Sequence, residues 1–175
     1  MIATAIPAGF AAGLFGIGGG LVTVPILFYI FSFSGIETAY VMHLAVGTSF
    51  GIIIPTSTVS VLTHHQHKAV DFSIVKGFGF FVATGVILGT IFAASLETKP
   101  LILFFTIIVY VLAFYLLFLK EKETNIEIKI GLFSKALSGI VSGFISAPMG
   151  IGGAVMNVPI LKFFGYPINK AIGSA

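Results

Sequence analysis

There is no cysteine in these 175 residues and no arginine, and charged side chains make up only 9% of the chain. The missing thiols exclude disulfides, thiolate metal sites and cysteine nucleophiles. The scarcity of charge excludes an ordinary soluble domain, in which roughly 25% of residues are charged. A net charge of +3 rests on nine lysines set between apolar runs. With no basic stripe interleaved with aromatics, that charge reads as membrane topology and not as affinity for nucleic acid. Ten-residue segments of alternating polarity are also missing, which excludes a membrane barrel. The start Met-Ile-Ala-Thr carries no basic region ahead of its apolar run, so a cleavable signal peptide is not expected.

What the chain does have is apolar length. Apolar residues account for 57% and the mean hydropathy is +1.12. The charges cluster, leaving runs long enough for helices of about 20 residues to cross a hydrocarbon core. The expected fold class is an all-α integral membrane protein, multi-pass, with 1-175 as a single transmembrane domain.

One stretch organises the rest. Gly16-Ile17-Gly18-Gly19-Gly20-Leu21-Val22-Thr23-Val24-Pro25-Ile26-Leu27 returns 134 residues later as Gly150-Ile151-Gly152-Gly153-Ala154-Val155-Met156-Asn157-Val158-Pro159-Ile160-Leu161, with eight of twelve positions identical. The register extends back through Ile6, Gly9 and Phe10 to Ile140, Gly143 and Phe144, so a structural unit is duplicated. Ala45-Val46-Gly47-Thr48-Ser49 has its own counterpart in Ala171-Ile172-Gly173-Ser174-Ala175. The expectation is two homologous repeats of about four helical segments, each opening with a helix broken at a Gly-rich motif. Repeat one covers about 1-119, a linker about 120-130, and repeat two about 131-175. Counterparts of spans two to four are missing from the second repeat, which predicts an incomplete repeat and a fragment.

Along the chain, Ile2 to about Phe33 is too long for one straight span and should break near Gly16 to Gly20. A second span runs from about Ala39 to Leu62 with a kink near Pro55. Thr63 to Asp71 is a polar loop. A third span covers about Ser73 to Ala94, where Gly77, Gly79, Gly85 and Gly89 suit close helix packing. A fourth covers Leu101 to Leu119, with Pro100 in its first turn and a lipid-facing composition. The next segment starts near Gly131, breaks at Ser146 to Gly150, resumes to Phe164 and turns at Gly165-Tyr166-Pro167.

If the broken segments cross the membrane, six lysines (68, 76, 120, 122, 129, 135) share one side against three (99, 162, 170). If they are re-entrant hairpins, the division is eight against one. Both readings make the His64 loop and the linker cytoplasmic. The hairpin fits the charge bias better and makes the repeats inverted, and the choice stays open here.

A helix that starts at membrane depth presents up to four unpaired N–H groups and the positive end of its dipole, which suits an oxyanion. The candidate donors are the N–H groups of Gly18, Gly19 and Gly20 and of Gly152, Gly153 and Ala154. Thr23 and Asn157 lie one turn further in, and Thr48, Ser49 and Ser174 could close the site. The plainer reading is that the glycines only pack helices.

His64, His65 and His67 match no zinc spacing, so no metal is expected there and the segment reads as an interfacial loop. His43, near the start of span two, could relay a proton or simply bond a backbone carbonyl. No acid or lysine sits deep within a span, and no nucleophile has a base and an orienting group at workable positions, so no enzyme is expected and no cofactor is implied.

The doubled Gly-rich motif, Ala45 to Ser49, and His64 ahead of Val70-Asp71 resemble the sulfite exporter TauE/SafE family of membrane permeases, over the whole chain and in order. The resemblance implies a permease of the inner or plasma membrane that moves small organosulfur anions such as sulfite, sulfonates or sulfoacetate. Its partners would be the lipid bilayer, a small anionic substrate and, where it self-associates, a second copy in a homo-oligomer. In one respect the chain departs from the family, which usually has glycine where Lys68 stands. The rival expectation is a non-transporting membrane scaffold or accessory subunit.

Overall fold

The computed structural model describes residues 20–118 and 131–175, and among them every regular element is an α-helix. They are α1 (Gly20–Phe33), α2 (Val41–Gln66), α3 (Phe72–Ser95), α4 (Thr98–Phe118), α5 (Leu132–Met149), α6 (Ala154–Phe163) and α7 (Ile168–Ser174). Four of them, α2 to α5, are long and apolar enough to cross a membrane.

The boundaries follow local chemistry. Asp71 is the extended N-cap of α3, its carboxylate accepting from Ser73 N at 3.0 Å and Ser73 Oγ at 2.7 Å. Pro100 falls in the first turn of α4, where its missing N–H costs nothing. Differing from the expected loop at Thr63, α2 continues through His64 and His65 to Gln66. It also runs unbroken past Pro55. The hydroxyls of Thr56, Ser57, Thr58 and Thr63 donate to carbonyls three or four residues back, so this long exposed half of α2 satisfies its own polar groups.

The closest helix pair is α3 with α5. Gly85 and Gly89 of α3 and Gly139 and Gly143 of α5, each pair four residues apart on its helix, lie in the seam between the two helices. A Cβ on Gly85 would lie 2.2 Å from Ile140 O, and one on Gly143 would lie 2.2 Å from Val82 O. Here the two backbones touch, as small residues permit in a membrane where no hydrophobic force separates helix from lipid. By contrast Gly77 has nothing within 4 Å of its Cβ position and Gly79 only a Val75 methyl, so these two expected packing glycines do not pack.

The contacts advance together, Gly85 beside Ile140 and Gly89 beside Phe144, so α3 and α5 run parallel. From the far end of α5 the chain turns back. Leu161 and Phe164 cluster with Ile74 and Phe78 at the start of α3, the Phe78 and Phe164 rings meeting edge-on at 6.4 Å. Lys135 of the first turn of α5 lines a small cleft with the same residues. α5 and α6 therefore form a helical hairpin whose two outer ends lie side by side.

Beginning next to the tip of that hairpin, α1 leaves in the other direction. Val24 and Leu27 pack with Met42, Ala45, Val46, Ala93 and Leu101, which belong to the start of α2, the end of α3 and the start of α4. Thr98 Oγ1 donates to Ala39 O at the same end.

Candidate functional site at the helix break

At the hairpin tip α5 stops because Gly150 takes the left-handed conformation (φ 61°). Gly150 N donates to Ala147 O at 3.1 Å and Ile151 N to Ser146 O at 3.3 Å, the paired bonds of a glycine-ended helix. No side chain fits there in any case. A Cβ on Gly150 would meet Val24 Cγ2 at 3.0 Å and Val46 Cα at 3.2 Å.

Two segments converge on the Gly150 carbonyl. Ser49 Oγ of α2, 1% exposed, donates to it at 2.8 Å. Gly20 of α1 lies so close that its Cβ would sit 2.1 Å from the same oxygen. The first Gly-rich motif thus meets its later copy at Gly20, its one described residue, which lies against Gly150 and Ile151. Gly18 and Gly19 lie outside the described residues.

On the other side of the tip, Gly153 O accepts from Met156 N (3.1 Å) and Asn157 N (2.8 Å) to start α6. The N–H groups of Gly152, Gly153, Ala154 and Val155 have no acceptor among the described residues. Those groups carry the positive end of the α6 dipole. Pro25 and Pro159, each five residues after the helix start, lack the N–H that would bond Leu21 O or Val155 O.

Of the expected side-chain donors besides Ser49, Asn157 is the most buried, at 4% exposure. It is already engaged: Oδ1 accepts from Ser142 Oγ, and Nδ2 donates to Ala175 O at 3.4 Å. Thr23 is half-buried on α1. Thr48 is exposed, pointing away from the tip that its neighbour Ser49 reaches. Ser174 sits elsewhere, accepting from Asp71 N at 2.9 Å, while Gly173 packs so close that its Cβ would be 2.6 Å from Ala69 O. Lys170 completes that junction with an ion pair to Asp71 at 3.3 Å.

His43 lies 3.2 Å through Nε2 from Ala93 O, and its Nδ1 is buried without a partner among the described residues. Among the described residues no three His, Asp or Glu side chains gather at a spacing that could hold a metal. His67 Nδ1 instead bonds Thr63 O at 2.8 Å and His65 stacks edge-on against Phe72.

Two buried serines of α5 escaped the sequence reading. Ser142 is wholly buried and Ser146 is 4% exposed. Their signal was present in the row Ser134, Ser138, Ser142, Ser146, which recurs every fourth residue along one face of α5. A separate groove of about 570 Å³ between α4 and the hairpin is walled by Leu112, Val141, Val155, Ile160 and Phe163. Its walls are mostly apolar, with Tyr115, Ser134 and Ser138 as the hydroxyl-bearing exceptions, so it suits an oxyanion poorly.

Comparison with known proteins agrees with this membrane-embedded architecture. The chain is similar to a "Probable membrane transporter protein" of Haemophilus influenzae, 33% identical over 168 residues and 96% of the chain. It is similar also to proteins of that description in Xylella fastidiosa (36% identical, 95% of the chain) and Methanocaldococcus jannaschii (30% identical, 94% of the chain). It spans 64%, 64% and 61% of their respective lengths, less than two thirds in each case. No solved structure matches it significantly. The sulfite exporter TauE/SafE family model matches residues 1–175. With a match over that whole length and relatives described as membrane transporters, this multi-pass membrane protein belongs to the sulfite exporter TauE/SafE family.

Proposed function

We propose that this chain forms the substrate-holding part of a permease or exporter for small organosulfur oxyanions of the sulfite, sulfonate or sulfoacetate type. The observation that carries the reading is the buried hairpin tip, where the N–H groups of Gly152 to Val155 lack acceptors among the described residues. An oxyanion supplies the acceptors that hydrocarbon cannot. Binding through neutral donors, with no buried Lys or Arg, makes the anion releasable to either side. Sulfite itself is suggested by the family's description and by the fit of a compact, highly charged oxyanion to a cradle of amides.

Alternating access is the companion proposal. Helices α1 and α6, equivalent in the sequence duplication, leave the Gly20–Gly150 contact toward opposite ends of the bundle. This supports two inverted repeats with the anion between two broken helices, the arrangement in which one repeat rocks against the other about a central site. It supports also the re-entrant reading of the broken segments over the crossing one, and with it the division of the chain into repeat one, linker and repeat two. His43, with an unpartnered ring nitrogen at the end of the bundle where α1 emerges, is the candidate proton carrier in that cycle.

The test is flux of labelled sulfite through membranes carrying the protein, with and without Gly153→Val. A valine there would drive its Cβ to 2.6 Å from Asn157 Nδ2 and crowd the amide cradle, so flux should fall to background. Unchanged flux would end the proposal. The scaffold reading draws on the α3–α5 seam, where glycines do serve packing alone. It predicts that Gly143→Ala harms the protein while Gly153→Val and sulfite itself leave thermal stability untouched.

A further inference from the structure

Ser146 stands apart from the other hydroxyls of the bundle. Thr56, Thr58, Thr63 and Ser138 all donate to the carbonyl four residues earlier, the default for a hydroxyl on a helix in an apolar setting. Ser146 does not, and its Oγ has no hydrogen-bond partner among the described residues although the residue is 4% exposed. Its own carbonyl is engaged by Ile151 N, which fixes Ser146 directly beneath the hairpin tip.

The direction in which the side chain faces follows from Ser142. One turn earlier on the same face of α5, Ser142 touches Asn157 in the first turn of α6. Ser146 therefore lies between that contact and the tip, opposite the start of α6, whose amide N–H groups lack acceptors among the described residues. Asn157 has both ends of its amide engaged and is a positioning residue that ties α6 to α5. The hydroxyl left to give is the Ser146 O–H.

We propose that Ser146 is a specificity-determining donor of the oxyanion site, its hydroxyl and the first amides of α6 together binding one sulfur oxyanion. This rests on the permease reading above. It adds a directional bond to a tetrahedral or pyramidal anion bearing several oxygens, which a spherical halide cannot use as well. It also explains why a buried hydroxyl persists where alanine would fit: an unsatisfied group destabilises the empty protein and is satisfied only by ligand.

That sign reversal is the test. Purified protein in detergent is titrated with sodium sulfite, against sodium chloride at equal ionic strength, and the unfolding midpoint is followed. Wild type should gain stability saturably with sulfite. Ser146→Ala should be at least as stable as wild type without sulfite, because an unpartnered hydroxyl has gone. Its sulfite affinity should nevertheless fall about tenfold, the factor expected for one hydrogen bond to a charged group. Ser146→Thr, which keeps the hydroxyl, should recover most of that loss. If Ser146→Ala binds sulfite like wild type while Gly153→Val does not bind, the assignment of Ser146 is overturned and the permease site stands. If Ser146→Ala lowers the midpoint in the absence of sulfite, the hydroxyl is structural and the assignment is again overturned. If wild type gains nothing from sulfite, the permease site itself falls and Ser146 with it.

Discussion

Gly150 and Lys68 both end a helix in the left-handed conformation, with φ of 61° and 55°. Their hydrogen bonds correspond one for one: Gly150 N to Ala147 O and Ile151 N to Ser146 O at the hairpin tip, Lys68 N to His65 O and Ala69 N to His64 O after α2. The surroundings differ completely. At the tip, Val24 and Val46 crowd the place where a side chain would begin, whereas Lys68 is exposed in the turn between α2 and α3. The comparison separates two requirements that a glycine usually meets together. One is a backbone angle that L-residues resist, the other is empty space. The tip needs both, the outer turn needs only the angle, and so the outer turn alone tolerates a lysine.

Substituting the tip should break the comparison most severely. Gly150→Ala takes on the left-handed penalty and forces the Val46 backbone away, which together should cost about 2–4 kcal/mol. Because the Gly150 carbonyl also holds Ser49 Oγ, the shift would loosen α2 from the hairpin. The measurement is the thermal unfolding midpoint in detergent, together with sulfite stabilisation, which should be lost. A midpoint equal to wild type would mean that the tip is far more yielding than its close contacts indicate.

At the outer turn the substitution should act in the opposite direction. Lys68→Gly relieves the angle penalty but frees the unfolded chain, leaving a net gain of about 0.5–1 kcal/mol. Lys68→Ala removes the charge and keeps the Cβ, so it should leave stability near wild type. An equal gain from both would assign the effect to charge and undo the argument from φ.

The parts of this molecule that were legible in the sequence are those set by local chemistry. Apolar length gave α3 as about Ser73 to Ala94 against an observed Phe72–Ser95. The turn at Gly165-Tyr166-Pro167 was equally plain, with Gly165 at φ 84°. The polar run His64-His65-Gln66 was misleading, since helix can continue past the apolar span once the side chains reach an aqueous boundary. What could not be read was partnership across the bundle. Gly85 and Gly89 pack while Gly77 and Gly79 do not, because only the first two meet the α5 backbone, at Ile140 and Phe144. Nothing in the spacing of one helix records which face its neighbour takes. For the same reason Asn157 looked like a free donor and Ser146 was passed over. Their roles depend on Ser142 and Ala175, which contact Asn157 from α5 and from the end of α7.

The smallest expected effect concerns the far side of the Lys68 turn, where Asp71 joins α3 to α7. Bonds from the Ser73 hydroxyl and then the Ser73 N–H, with a lesser contribution from Lys170, hold the Asp71 carboxyl below the usual carboxylate range, against a small opposing effect of burial. Its folded pKa is thus lower than its unfolded one. The stabilisation is complete above the unfolded value and disappears as pH falls through the folded one. Asp71→Asn should therefore flatten the acid limb of the stability curve and change little at neutral pH, since asparagine still caps α3. Lys170→Gln should flatten it less, because Lys170 is the weaker cause. Acid should also loosen α7, whose Ser174 Oγ takes the Asp71 N–H, before it reaches the hairpin tip, which titrates nothing. Hydrogen exchange at the amides of α7 and of Gly150 to Val155 across the acid range would separate the two regions. If exchange in both rose together, α7 and the tip would be one cooperative unit, and the distinction between the outer turn and the inner one would not extend to how the protein comes apart.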